Sequence, residues 1–199
     1  MGMDASRRLM IETAEERFGA CGGKGLALKD LARRLGVSPG TIFKEFKTRD
    51  ELFVAVLGRV QEGLFAHIEA SCSMVSGESG LAMAVRLAEA YSRFLEQSPE
   101  PYLGLMRGDD DPLSGLGPQS RGELRRIKTR IIKQFETLLR LGSCDGSVRP
   151  DAAEDVANRF VNVLVGLVRL RLTRPETRTR NLRLMLEALA GGPSRPCVA

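Results

Sequence analysis

The segment from Leu28 to Phe46, LKDLARRLGVSPGTIFKEF, constrains the fold of this chain more than any other stretch. Leu31, Leu35, Val37 and Ile42 are apolar at helical spacing, Ala32 is small, and Gly36 follows Ala32 by four residues. Ser38-Pro39 reads as a helix start. The serine oxygen can accept from an open N–H group of the first turn, and proline at the first helical position lacks only an N–H that would be unpaired anyway. Gly36 supplies the positive φ of a sharp turn, and Ala32 lets a second helix come close. Two helices crossing at about 90–120° through a three- or four-residue turn need this set of residues. The segment is therefore expected to be a helix-turn-helix, with Leu31, Leu35 and Ile42 forming a small core against a preceding helix. The alternative, a plain helical corner, would need only part of the pattern.

The remaining sequence lacks β-branched alternation, and turn signals fall between stretches of helical periodicity. The expectation is an all-α fold of about nine helices: residues 4–20, 28–35, from Pro39, 48–73, 78–97, 98–106, 120–141, 151–172 and 173–190. Met10, Ile11, Ala14 and Phe18 mark the inner face of the first. Thr48–Glu51, Ser120–Glu123, Asp151–Glu154 and Thr173–Glu176 have capping-box spacing. RGDDDPLSGLGPQ (107–119) is expected to be a mobile loop and GSCDGSVRP (142–150) a turn. The domains are expected to be 1–50, a helix-turn-helix DNA-binding domain, and 51–199, a larger helical domain.

Charge supports the assignment of the N-terminal part. Residues 1–50 hold ten Lys/Arg and seven Asp/Glu, and the other 149 hold 20 and 18, so over half of the net +5 falls on a quarter of the chain. A basic N-terminal region suits nucleic acid. No apolar run is long enough to span a membrane and no signal peptide is evident, so a cytoplasmic location is expected. Cys21, Cys72, Cys144 and Cys197 are far apart and form no metal-ligand spacing. They read as inert thiols, with a redox role at Cys21 or Cys144 as the alternative. Asp109–Asp111 lacks the spaced ligands of a cation loop and reads as solvated. No metal or cofactor is expected.

The stretch GLALKDLARRLGVSPGTIFKEFKTRDELFVAVL resembles the DNA-binding domain of TetR/AcrR-type transcriptional regulators. The resemblance covers about residues 8–57. It implies an all-α homodimer whose C-terminal domain binds a small ligand that releases DNA. Matching positions place Lys29 at a base or phosphate contact, Pro39, Gly40 and Thr41 on the groove-facing start of the recognition helix, Lys44 at a base edge or phosphate, and Arg49 on a phosphate. Ser38, Phe43 and Lys47 complete the expected DNA face. Three positions depart from the family's pattern. Ala27 replaces a capping hydroxyl, Phe43 lacks the phenol of a tyrosine, and Glu45 puts a carboxylate where histidine is common. Glu45 is expected to pair with a neighbouring cation. Residues 38–46 contain no Arg, Asn or Gln, the usual bidentate readers of bases, so direct readout falls to Lys29, Lys44 and the Thr41 methyl, with DNA shape supplying the rest.

In the larger part of the chain, residues that interrupt an apolar face or bring a ring to it are the ligand candidates: His67, Tyr91, Phe94, Tyr102, Met106, Gln134, Phe135, Asn158 and Asn162. Asn158 and Asn162 share a helix face and could alternatively bond across a dimer seam. With few aromatic residues, an apolar cavity between the helices at 48–73, 78–97, 120–141 and 151–172 is expected to take a largely apolar molecule. FVNVLVGLVRL (160–170) is apolar all round, and such a helix must be buried all round. A two-fold seam with a second copy is expected, involving Val165, Gly166, Leu170, Leu182, Met185 and Leu189. The expected function is therefore a ligand-responsive, sequence-specific DNA-binding regulator, a repressor. The competing readings are a DNA-binding regulator whose larger domain binds a protein, and an all-α enzyme. The enzyme lacks support, since there is one histidine and neither a nucleophile beside a base nor a phosphate-binding glycine motif.

Overall fold

The computed structural model describes residues 3–21, 27–72, 77–97, 117–150, 152–173 and 182–191. Among these, all regular structure is helical: α1 Met3–Cys21, α2 Leu28–Leu35, α3 Pro39–Glu45, α4 Arg49–Ser71, α5 Gly80–Gln97, α6 Pro118–Asp145, α7 Ala153–Thr173 and α8 Leu182–Ala190. The helix expected at 98–106 and the Asp109–Asp111 run lie outside the described residues. None of the described helices is long and apolar enough to cross a membrane, and the described residues contain no group of acidic, histidine or cysteine side chains that could hold a metal.

The chain forms two compact units, Met1–Gly63 with Ser98–Ile127, and Leu64–Gln97 with Lys128–Ala199. In the first, Met10, Ala14, Leu31, Ala32, Ile42, Phe46, Leu52, Phe53, Val56 and Leu57 are buried, so α1 to α4 share one core. The turn between α2 and α3 has the geometry expected of it. Gly36 closes α2 at φ 65°, ψ 26°, and Val37 N–H reaches back to the Ala32 carbonyl at 3.0 Å. Leu35, expected in this core, is only half-buried, because the helix ends there and no further turn covers it. Two arginines fasten α1 to its neighbours. Arg59 Nε meets Glu15 at 2.9 Å and its Nη1 meets Glu12 at 3.1 Å, while Arg7 reaches the end of α3.

In the second unit, α5 and α7 both pack against α8. Tyr91, Phe135 and Phe160 form its aromatic centre, with ring centroids 5.8 and 4.9 Å apart along the series. Here the sequence expectation that a turn begins at Gly142 is overturned: α6 runs on to Asp145. Gly142 acts by its lack of a side chain. A Cβ on Gly80 would come within 2.0 Å of the Gly142 nitrogen, so the start of α5 lies directly on the backbone of α6. The chain turns only at Gly146, φ 81°. Another expectation fails at Ser120, which is not an N-cap. Helix α6 starts two residues earlier, at Pro118, and Ser120 is fully buried in its first turn. The box at Thr48 is also modified. Glu51 N–H donates to Thr48 Oγ1 at 3.1 Å, but the Glu51 carboxylate accepts from Lys47 N–H at 2.9 Å, one residue before the cap.

Asp145 fixes the approach of α5 to α6. Its carboxylate accepts Gly80 N–H at 2.7 Å and Ser147 N–H at 2.9 Å. The Ser147 side chain, then these backbone groups, hold its pKa below the ordinary carboxylate value. Because the folded value lies below the unfolded one, the stabilisation is present at neutral pH and is lost as pH falls through the lowered value. Asp145→Asn should therefore lower Tm most at pH 7, with the gap from wild type closing in acid. An equal gap at pH 7 and at pH 3, measured by thermal melts, would contradict this. Cys72 and Cys144 are free thiols, and Cys144 is the exposed one. Burial pushes the Cys72 thiol up.

Candidate nucleic-acid interface

Helix α3 is seven residues long, and isolated helices shorter than about 12–15 residues are marginal in water. Three devices hold it. At its start, Ser38 Oγ accepts from Thr41 N–H at 3.2 Å and lies 2.9 Å from Thr41 Oγ1. On its inner side, Ile42 and Phe46 are fully buried. At its end, Arg7 Nη1 donates to the Glu45 carbonyl at 3.1 Å, lies 3.7 Å from the Glu45 carboxylate, and places its guanidinium 4.4 Å from the centre of the Phe46 ring. Glu45 thus has the cation that the sequence reading required. One arginine of α1 therefore serves the last carbonyl of α3, where positive charge is favoured by the helix dipole, and caps the aromatic residue behind it.

The outer side of α3 is left free. Ser38, Pro39, Gly40, Thr41, Phe43, Lys44 and Lys47 are all exposed, as is Lys29 in the first turn of α2. Phe43 stands out at 45% exposure. Ala27, before α2, has extended geometry and makes no side-chain cap, consistent with the missing hydroxyl noted from the sequence. Arg49 differs from the others. It is half-buried, its Nη2 is buried without a hydrogen-bond partner, and desolvation lowers its pKa against the opposing pull of Asp50.

Asp50 is the residue the sequence reading missed. Its carboxylate accepts Gly117 N–H at 3.0 Å, Gln119 N–H at 3.1 Å and Ser120 N–H at 3.3 Å, and it also bonds the Ser120 hydroxyl. It caps α6 from α4, across about seventy residues of sequence. Gly117 leaves room for this carboxylate, since a Cβ there would lie 2.3 Å from an Asp50 oxygen and the side chain would have to shift. Within the capping box, Asp50 looks like a first-turn acid of its own helix. Nothing local points to a partner so far along the chain.

The ligand candidates fall into separate groups in the second unit. Tyr91 Oη donates to Gln134 Oε1 at 2.8 Å beside Phe135. His67 and Phe94 face each other with ring centroids 5.6 Å apart, and His67 Nε2 is buried without a hydrogen-bond partner. Asn158 spends its amide on the Glu154 carbonyl of its own helix at 2.8 Å, and Asn162 is exposed. Tyr102 and Met106 lie outside the described residues. A surface groove of about 470 Å³, lined by Arg140, Ser143, Cys144, Ala153 and Glu154, includes none of the candidates. Of the residues expected in a two-fold seam, Val165, Gly166, Met185 and Leu189 are half-exposed, Leu182 is buried in its own unit, and the side chain of Leu170 is outside the description. Leu184, not singled out from the sequence, is 64% exposed. Which leucine of α8 faces outward depends on how the helix rolls against α5 and α7.

Comparison with known proteins agrees with this geometry. Residues 4–56 match the family described as bacterial regulatory proteins, tetR family. The chain is 27% identical over 162 residues to the HTH-type transcriptional repressor KstR2 of Mycolicibacterium smegmatis, covering 79% of this chain and 75% of that one. It is 24% identical over 156 residues to the HTH-type transcriptional repressor DhaR of Mycobacterium sp. (strain GP1), covering 78% and 76%. The fold matches a crystal structure of a transcriptional regulator from Saccharomonospora viridis in complex with choline, with a TM-score of 0.74 at 22% identity over 94% of this chain and 95% of that one.

Asp50→Ala should leave the first-turn donors of α6 and the buried Ser120 hydroxyl without their acceptor, at a cost of about 1–3 kcal/mol. A urea melt showing a change under about 0.5 kcal/mol, the range of an ordinary surface substitution, would contradict that role.

Proposed function

We propose that this chain, a member of the tetR family of bacterial regulatory proteins and a DNA-binding transcriptional regulator, is a repressor that binds a pseudopalindromic operator as a two-fold dimer and leaves it when a largely apolar small molecule binds. It works in the cytoplasm. Residues 1–50 carry the DNA contacts, and residues 51–199 carry dimerisation and ligand binding. The observation that supports this most is the division of α3 into two sides. Ile42, Phe46 and Arg7 fix one side, while Pro39, Gly40, Thr41, Phe43 and Lys44 are presented to solvent. A short helix held this firmly from behind, with its front unoccupied, has the form of a recognition helix in a helix-turn-helix. The repressor reading draws on KstR2 and DhaR, both named as repressors. The small-molecule reading draws on the choline complex of the Saccharomonospora viridis regulator, and on His67 Nε2, a buried polar atom that a ligand group could satisfy.

The protein should select a sequence from fragmented genomic DNA, and footprinting should show two half-sites related by a dyad. Lys44→Ala should weaken the selected sequence by about 1–3 kcal/mol if Lys44 meets a base edge. Arg49→Ala should instead weaken all DNA alike and flatten the dependence on salt. Footprints unaltered by either variant would show that the DNA face lies elsewhere. Mass spectrometry of the denatured, purified protein is the search for a carried-over effector.

The seam is assigned to α7 and α8 of each copy, through Val165, Gly166, Leu170, Met185 and Leu189 together with the exposed Leu184. Among the described residues, a Cβ on Gly166 meets nothing within 4 Å beyond its own helix backbone. Gly166→Arg should therefore fold normally, yet place an unpartnered charge in the seam and separate the copies. Light scattering should find the wild type at twice the 21.8 kDa chain mass and the variant at the chain mass. A monomeric wild type at micromolar concentration would contradict the dimer.

A further inference from the structure

The exposed front of α3 is mostly apolar, and two of its polar side chains, Thr41 and Glu45, already have partners. Thr41 Oγ1 lies 2.9 Å from Ser38 Oγ, so the hydroxyl is turned toward the N-cap and the methyl is the apolar group of Thr41. Glu45 is held by Arg7. What remains free on α3 is the Pro39 ring, the Thr41 methyl, the Phe43 ring and the Lys44 ammonium. Pro39 and Phe43 are four residues apart and share one flank of the helix, Thr41 lies on the other flank, and Lys44 falls between them. A large aromatic side chain at 45% exposure, on the element meant to enter the groove, gains nothing from water. In the hydrogen-bonding pattern of the major groove, the apolar feature that distinguishes one base pair from another is the C5-methyl of thymine, and threonine methyls and phenylalanine rings are side-chain groups that meet it.

We infer that this chain reads its operator through thymine methyl groups, with Phe43 and Thr41 as the specificity-determining residues on either side of a Lys44 contact. The inference rests on the DNA-binding reading above and specifies its chemistry. Cytosine, which lacks the methyl, is discriminated against at those positions by lost apolar contact, without any bidentate hydrogen bond.

The test uses the full-length protein and the duplex it selects from a random-sequence pool. Deoxyuridine replaces thymidine one position at a time, which removes the methyl and keeps the base pairing. At least two thymines in each half-site should show binding weakened about fourfold on replacement, the effect of withdrawing one buried methyl-sized group. Thr41→Ser keeps the hydroxyl of the cap and loses only the methyl, so it should abolish the sensitivity at one thymine. Phe43→Ala should abolish it at another. Thr41 is exposed and packs into no core, so Thr41→Ser decides the matter even if Phe43→Ala lowers stability. Sequence-selective binding in which every deoxyuridine duplex is held as tightly as the original would overturn this inference and leave the DNA-binding reading intact. Failure to select any sequence would overturn both.

Discussion

A seven-residue helix keeps its shape only if its surroundings supply what its own hydrogen bonds cannot, and α3 depends on that support from three directions. Ile42 and Phe46 bind it to the core of the first unit, Ser38 closes its first turn, and Arg7 closes its last. The other helices of the unit serve this purpose. Gly36 sets the turn that brings α3 onto α2, and Arg59 ties α1, which carries Arg7, to α4. Each contact is modest alone, since half-exposed ion pairs contribute little. Together they hold α3 at its start, along its inner side and at its end.

The first unit does not end with the helix-turn-helix. Through Asp50, the second residue of α4, it also takes up the first turn of α6. Asp50 stands next to Arg49, whose guanidinium is already half out of water, and just after the Thr48–Glu51 cap. The start of α6 is thereby fixed to the start of α4, directly after the turn that follows α3. Gly117, Ser120 and Asp50 form one polar assembly whose members are interdependent: the glycine makes room, the carboxylate accepts, and the serine is buried because its hydroxyl is satisfied.

What the sequence made legible was local. Gly36, Ser38 and Thr48 act on residues within a turn of themselves, and their structural roles followed from spacing alone. Lys29, Thr41 and Lys44 were placed on an outward face by the resemblance to TetR/AcrR-type regulators, and they are exposed. What the sequence hid was long-range. Asp50 reads as an ordinary first-turn acid until α6 is placed beside it. Gly142 reads as a helix stop, although it is a site of backbone contact with Gly80, sixty-two residues earlier. Leu182 and Leu184 cannot be told apart as inner and outer by composition, because the roll of α8 is set by tertiary packing. Among the ligand candidates, the pairings of Tyr91 with Gln134 and of His67 with Phe94 likewise appear only once α4, α5 and α6 are folded.

The account turns on the claim that the free front of α3 is the surface that meets DNA. Amide hydrogen exchange, measured on the full-length protein with and without the duplex it selects, tests this most directly. Protection should rise across Ser38–Lys44 and at the start of α2 around Lys29. Slowed exchange confined to the second unit, with residues 38–44 unchanged, would contradict the account.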